Sequence, residues 1–259
     1  MTRLLSGVVL AVAALAAILF LPLVGLRALA AAVAAMAARE YLTITVPESG
    51  PRHAVMAILV AAVCWATSGA AVLTVFGALA LTLGWLGYSV LFAHRRVQDA
   101  ATELVATVYI GIPLGMLVAG QILAGWKATL VLMGSVVVSD SAQYYTGRAF
   151  GWRPLAPTIS PKKTIEGAVG GVVFGIVFMI VAGPYVFPLL GVPALAALGA
   201  IVVMLGILGD LFESALKRAA GVKDSSALIP GHGGVLDRID SICFAAPVFF
   251  HLTRFFFAV

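Results

Sequence analysis

Apolar stretches of about twenty residues recur from one end of this chain to the other, parted by short polar breaks. A helix rises about 1.5 Å per residue, so each stretch matches the roughly 30 Å hydrocarbon core of a bilayer. Composition agrees: 62% of the 259 residues are hydrophobic and 10% are charged, against about half and a quarter in soluble domains. The runs predict nine helices, at about 4–20, 23–42, 54–68, 70–93, 103–123, 127–146, 166–188, 193–217 and 236–258. Pro22 and Gly69 alone separate the first and second pairs, and the short third segment admits a tilted or re-entrant reading. The expected fold is an all-α polytopic integral membrane protein. It reads as a single membrane domain, with residues 1–135 mainly scaffold and 136–259 the working part.

Placing Met1 on the cytoplasmic side puts thirteen of the sixteen basic residues at inside ends and loops, leaving Arg27, Lys127 and Arg254 outside. That is a strong positive-inside bias. The net charge of +5 then faces anionic headgroups or anionic solutes, and nucleic acid is not an expected partner. The amino-terminal apolar run is too long for an ordinary leader and continues into a second span, so it reads as a helix. Cys64 and Cys243 fall inside predicted spans and suit packing better than a disulfide. Gly167, Gly171 and Gly175 form a small-residue stripe that suits close helix packing within the chain, with a homodimer interface as the alternative.

Seven of the eleven acidic residues lie after residue 135, and three polar constellations hold most of them. In "GDLFESALKR", 209–218, the residues Asp210, Glu213, Ser214 and Lys217 share one helix face. An acidic residue in a span costs about 2.5–3.5 kcal/mol on insertion scales, so it needs a partner or a purpose. A Glu213–Lys217 ion pair is the plain alternative, and it leaves Asp210 unexplained.

The second is "KDSSALIPGHGGVLDRID", 223–240. Its glycines permit close approach of backbone to a ligand, and the helix after it offers an N-terminus suited to phosphate. Asp237 and Asp240 fall three residues apart in that helix's first turns. With Asp210 and Glu213 they read as a cage of hard oxygens for a divalent cation, magnesium before others. For His232 a phosphate hydrogen bond ranks first, bonding within the loop second and metal ligation third.

The third joins the sixth and seventh spans, "SDSAQYYTGRAFGWRPLAPTISPKKTIEG" at 139–167. Asp140, Ser141 and Gln143 give an apolar helix a polar end, and Arg148 and Arg153 bracket a turn. Ser160 reads as an N-cap, Pro161 as the first helical position, and Lys162 and Lys163 as first-turn residues opposing the helix dipole. Such lysines suggest a bound anion, with positive-inside topology as the plain alternative.

The spacing Ser214-x-x-Lys217-Arg218, four residues, Lys223-Asp224, then Ile229-Pro230-x-His232-Gly233-Gly234-x-x-Asp237-Arg238-x-Asp240 resembles the signature of phosphatidate cytidylyltransferases, the CDP-diacylglycerol synthases. Residues 147–167 are similar to that family's second characteristic stretch, with Gln143 a small departure just before it. The resemblance implies a multi-pass enzyme of a bacterial-type inner membrane, its active site at the cytoplasmic face. It would make CDP-diacylglycerol and pyrophosphate from CTP and phosphatidate with magnesium, and with potassium as a possible second cation.

On the family's pattern, Asp210 and Asp237 are the metal ligands, with Asp240 and Glu213 nearby. Lys162, Lys163, Lys217, Arg218 and Lys223 would divide between the CTP phosphates and the lipid phosphate. Asp224, Ser214, His232, Gly233, Gly234, Asp140 and Arg148 complete the candidate site. Arg238 is better suited to pair with Asp224 or a neighbouring carboxylate than to touch substrate directly. Two rival readings are a CTP-dependent transferase for another membrane lipid and an ion- or proton-coupled transporter. A transporter calls for midplane carboxylates and paired broken helices; here the charges gather at one face and no repeat is visible.

Overall fold

The computed structural model describes residues 2–46, 50–69, 72–229, 231 and 233–257; Glu48, Pro230 and His232 lie outside that set. Among the described residues the chain forms nine long helices. They are α1 (Thr2–Phe20), α2 (Leu23–Thr45), α3 (Pro51–Ser68), α4 (Val72–Leu91), α5 (Val97–Ala124), α6 (Trp126–Phe150), α7 (Ile165–Ala182), α8 (Val192–Ala219) and α9 (Leu236–Phe257). Six of them, α3, α4, α5, α7, α8 and α9, are long and apolar enough to cross a bilayer, and Ser6–Phe20 is a shorter apolar stretch. The protein is a polytopic, all-α membrane protein. Helices dominate because hydrocarbon offers backbone N–H and C=O groups no partner, and a helix satisfies them internally.

Two compact units emerge from the contacts, Met1–Ala119 with Ala220–Ile239, and Gly120–Ala219 with Asp240–Val259. In the first, Ala34, Ala37, Ala38 and Tyr41 of α2 recur at helical spacing and are all at 2% exposure or less. They pack with α3, whose Met56, Val60, Val63 and Cys64 are buried. The third segment is thus one continuous helix of 18 residues. Helix α5 approaches α3 just as closely, since a Cβ on Gly111 would lie 2.9 Å from the Val60 carbonyl oxygen. Within α5 the turn Thr107–Gly111 is π-helical, with Ile112 N–H donating to the Thr107 carbonyl. Pro113 follows, and a proline removes a donor and displaces the carbonyl four residues back, so the wider turn relieves it.

In the second unit α6, α7 and α8 pack side by side. The glycine stripe of α7 serves this packing: a Cβ on Gly167 would sit 2.8 Å from the Gln143 carbonyl, and one on Gly171 would sit 2.5 Å from Gln143 Cγ. Gly175 meets Val203 of α8 in the same way. Gly209 of α8 brings α8 against α9, because its Cβ would stand 2.5 Å from the Asp240 carbonyl oxygen.

Between α6 and α7 lies a hairpin, β1 (Pro154–Ala156) paired antiparallel with β2 (Ser160–Thr164) in the register Pro154↔Thr164 and Ala156↔Ser160. This corrects the expectation that Ser160 caps a helix starting at Pro161. The helix starts at Ile165, and Thr164 is its N-cap, accepting 3.1 Å from Gly167 N. The reason is electrostatic as much as steric. Two lysines in a first turn oppose the dipole, whereas starting after them puts Glu166 there instead. Both strands of a two-stranded ribbon are edges, so Pro161 forfeits little by lacking an N–H.

An added methyl at Gly209 would meet backbone, which yields little. Gly209→Ala is expected to destabilise the protein by about 1–3 kcal/mol, read as a lowered unfolding midpoint in detergent. Gly77→Ala, with nothing within 4 Å, is the control expected to show no loss.

Candidate active site

The second unit carries a cavity of about 500 Å³ at the junction of α6, the hairpin, α7 and α8. Asp140, Gln143, Tyr144 and Arg148 line it from α6, Lys162 and Lys163 from β2, and Asp210 from α8. Lysines expected on a helix thus reach the cavity from a strand. The hairpin that carries them is fastened by Glu166, whose Oε2 accepts from Trp152 N at 3.2 Å and Arg153 N at 3.3 Å while Oε1 pairs with Arg153 Nε at 2.8 Å. Arg153 also lies over the Trp152 ring at 5.0 Å. Arg218, exposed at the end of α8, ties that helix to the hairpin turn by donating to the Ile159 carbonyl at 3.3 Å.

Asp210 finds its partner in Lys163: the two form a short, partly buried ion pair. Ser214 Oγ lies 3.4 Å from the other oxygen of Asp210. One turn on, Glu213 is 1% exposed and pairs with Lys217 at 2.5 Å. The helix face expected from the sequence therefore exists as two adjacent ion pairs. Asp140 accepts from Gln143 Nε2 at 3.0 Å, which gives Gln143 a role at the cavity wall. Asp240, half-buried, accepts from Ser241 N at 2.7 Å and stands in the field of Asp210, Asp140 and Lys163.

The first unit holds the glycine loop. Gly233 takes φ +77°, a conformation that favours glycine, and its carbonyl accepts from Ile229 N at 2.9 Å. Asp237 Oδ2 accepts from Ser225 N at 3.1 Å, Ser225 Oγ at 2.8 Å and Gly234 N at 2.7 Å. The amides of Val235 and Leu236 donate to Glu40 of α2, at 3.0 and 2.8 Å. The start of α9, expected to bind a phosphate, is thus already capped by two carboxylates of the chain itself. Carboxylates at a helix N-terminus satisfy its orphan donors and its dipole together. Lys223, Asp224 and Arg238 are exposed, and among the described residues no ion pair joins Asp224 to Arg238. His232 lies outside the described residues.

Sequence reasoning left Glu40 with the scaffold and passed over Tyr144. An acidic residue in the last turns of an apolar span was the available signal for Glu40; nothing in the local pattern marked Tyr144, whose hydroxyl accepts from Arg148 at 3.2 Å. Among the described residues no three His, Cys, Asp or Glu side chains are drawn together as a ready-made metal cage. The carboxylates expected there are held by Lys163, Lys217, Ser225 and backbone amides.

Gly234 has no room for a side chain, since a Cβ there would run into Ser225 Oγ and Glu40 Oε2. Gly234→Ala is expected to cost about 1–3 kcal/mol and to speed limited proteolysis within residues 220–235; unchanged cleavage would argue against the packing of this loop.

A model of the cytidylyltransferase family matches residues 1–256 of this chain. The uncharacterized protein YnbB of Escherichia coli is 44% identical over 140 residues, 54% of this chain and 47% of that protein. The phosphatidate cytidylyltransferase of Aquifex aeolicus is 42% identical over 121 residues, 47% of this chain and 45% of the relative. That of Bacillus subtilis is 38% identical over 189 residues, 69% of this chain and 68% of the relative. The chain therefore spans about half the length of the first two of these relatives and about two thirds of the third.

Proposed function

Because this chain belongs to the cytidylyltransferase family, we propose that it transfers CMP from CTP to phosphatidate, giving CDP-diacylglycerol and pyrophosphate at the cytoplasmic face of a bacterial inner membrane. The observation that carries this reading is a pair of adjoining cavities of opposite character. Ala168 lines both the polar cavity of Lys162, Lys163 and Arg148 and an apolar groove of about 440 Å³ between α7 and α8. Ile165, Val169, Val173, Met204, Leu208 and Leu211 line the groove. A phosphate group in the one and hydrocarbon in the other describe the two ends of a phospholipid.

The lipid phosphate oxygen attacks the α-phosphorus of CTP; the new P–O bond forms as the bond to the β-phosphate oxygen breaks, and pyrophosphate carries away the electron pair. A phosphomonoester has a second pKa near 6 and is largely dianionic at neutral pH, so the reaction needs no general base. The chain's task is to hold two polyanions together in line. Lys163, Lys162 and Arg148 supply the positive charge at the cavity, and Asp210 keeps Lys163 oriented into it until phosphate competes for the ammonium. Lys217 and Arg218 follow on the same helix end.

Magnesium is the cation that suits these residue types: Asp240 stands in the field of Asp210 and Asp140, carboxylate oxygens are hard donors, and among the described residues no cysteine lines the cavity. Asp210 and Asp240 would hold it in the second unit, and Asp237 is the further ligand that the family's pattern implies. When bound, it would neutralise developing phosphate charge. Potassium as a second cation belongs to the same proposal.

The test is conversion of labelled CTP and phosphatidate by the purified chain in detergent with magnesium. Lys163→Ala and Asp210→Asn are each expected to lower kcat/KM about 100-fold or more, the scale of losing a charge-stabilising group. Failure of folded wild-type protein to use phosphatidate would remove the lipid assignment.

A further inference from the structure

We propose that Glu40, on scaffold helix α2, is the positioning residue that sets the Asp237 carboxylate; this rests on the reading of Asp237 as a site carboxylate given above. Glu40 is 8% exposed. Its Oε1 accepts from Ser226 Oγ at 2.7 Å and Val235 N at 3.0 Å, and its Oε2 from Ser225 Oγ at 3.0 Å and Leu236 N at 2.8 Å. Those four donors are neutral, come from residues 185–196 positions away, and belong to the loop and first turn that carry Asp237. A single side chain thus holds both ends of the loop.

The link to Asp237 is Ser225. Its hydroxyl lies between the two carboxylates, 3.0 Å from Glu40 Oε2 and 2.8 Å from Asp237 Oδ2, and its amide donates to the same Asp237 oxygen at 3.1 Å. With Gly234 N as the third donor, one oxygen of Asp237 is fixed by three hydrogen bonds, and the rotation of the carboxylate with it. A carboxylate suits position 40, because both its oxygens can accept. Each of its oxygens faces one backbone N–H and one serine hydroxyl, so the amide of a glutamine would turn an N–H toward the N–H of Val235 or Leu236 and lose that bond, while the serine beside it would have to turn round to accept.

The test compares Glu40→Gln and Ser225→Ala with wild type, as full chains in detergent, by three readouts. Amide exchange at Val235 and Leu236 reports the hold on the loop; manganese binding followed by electron paramagnetic resonance, without substrates, reports the carboxylate; magnesium dependence of turnover reports the site at work. Glu40→Gln is expected to speed exchange at those two amides about tenfold or more while leaving α6–α8 protected. It is expected to weaken manganese binding 10- to 100-fold, as loss of a partner behind a metal ligand does, and to raise the magnesium concentration for half-maximal rate in step. Ser225→Ala keeps three of the four Glu40 bonds and is expected to speed exchange less, but it removes the hydroxyl that joins Glu40 to Asp237 and is expected to weaken manganese binding comparably, so the proposal stays testable if Glu40→Gln fails to fold.

Faster exchange with unchanged manganese affinity in both variants would make Glu40 a purely structural cap and overturn the proposal, as would unchanged exchange. If wild type makes no CDP-diacylglycerol, the functional reading falls, while the exchange and manganese arms still decide the role of Glu40.

Discussion

An ionised side chain carried into an apolar helical chain has to find its hydrogen bonds within that chain, because leaving it unpaired costs several kcal/mol. Glu213 pairs with Lys217, Glu103 with Arg95, Asp210 with Lys163, and Glu40 with four neutral donors. Breaking such a pair by removing one partner costs more than the pair contributes in net terms. These charges therefore constrain the arrangement of the elements that bear them more than they stabilise it. Lys163 fixes where the hairpin lies against α8, and Glu40 fixes where the glycine loop lies against α2.

Close approach of backbones is the complementary device. Where α6, α7 and α8 meet, Gly147, Gly167, Gly171 and Gly175 remove the side chains that would hold the helices apart. The polar cavity and the apolar groove both open beside α7, and Ala168, a small residue on that helix, lines each of them. A larger side chain there would stand between phosphate and hydrocarbon.

Much of the second unit was legible beforehand because its relations are local. Asp210, Glu213, Ser214 and Lys217 recur at helical spacing, and the structure keeps them within two turns of α8. The hairpin was not legible. "SPKKT" carries a serine, then a proline, which is also how helices begin, and the choice of strand depends on a partner at Pro154–Ala156 and on Glu166 fastening Arg153. The start of α9 misled for a similar reason: a helix N-terminus after glycines invites an anion, and the anions that came were Glu40 and Asp237.

The sequence by itself determined the class of the molecule and the number and approximate ends of its helices. Apolar runs of bilayer length leave the backbone no alternative to internal hydrogen bonding, and that requirement acts on each segment separately. It also placed the family signature at residues 214–240. Only tertiary structure decided which carboxylate answers which cation or amide: Lys163 for Asp210 across 47 residues, and Glu40 for Leu236 across 196. Such pairings depend on which helices lie side by side, and that is settled by packing summed over many residues. No short stretch of chain records it.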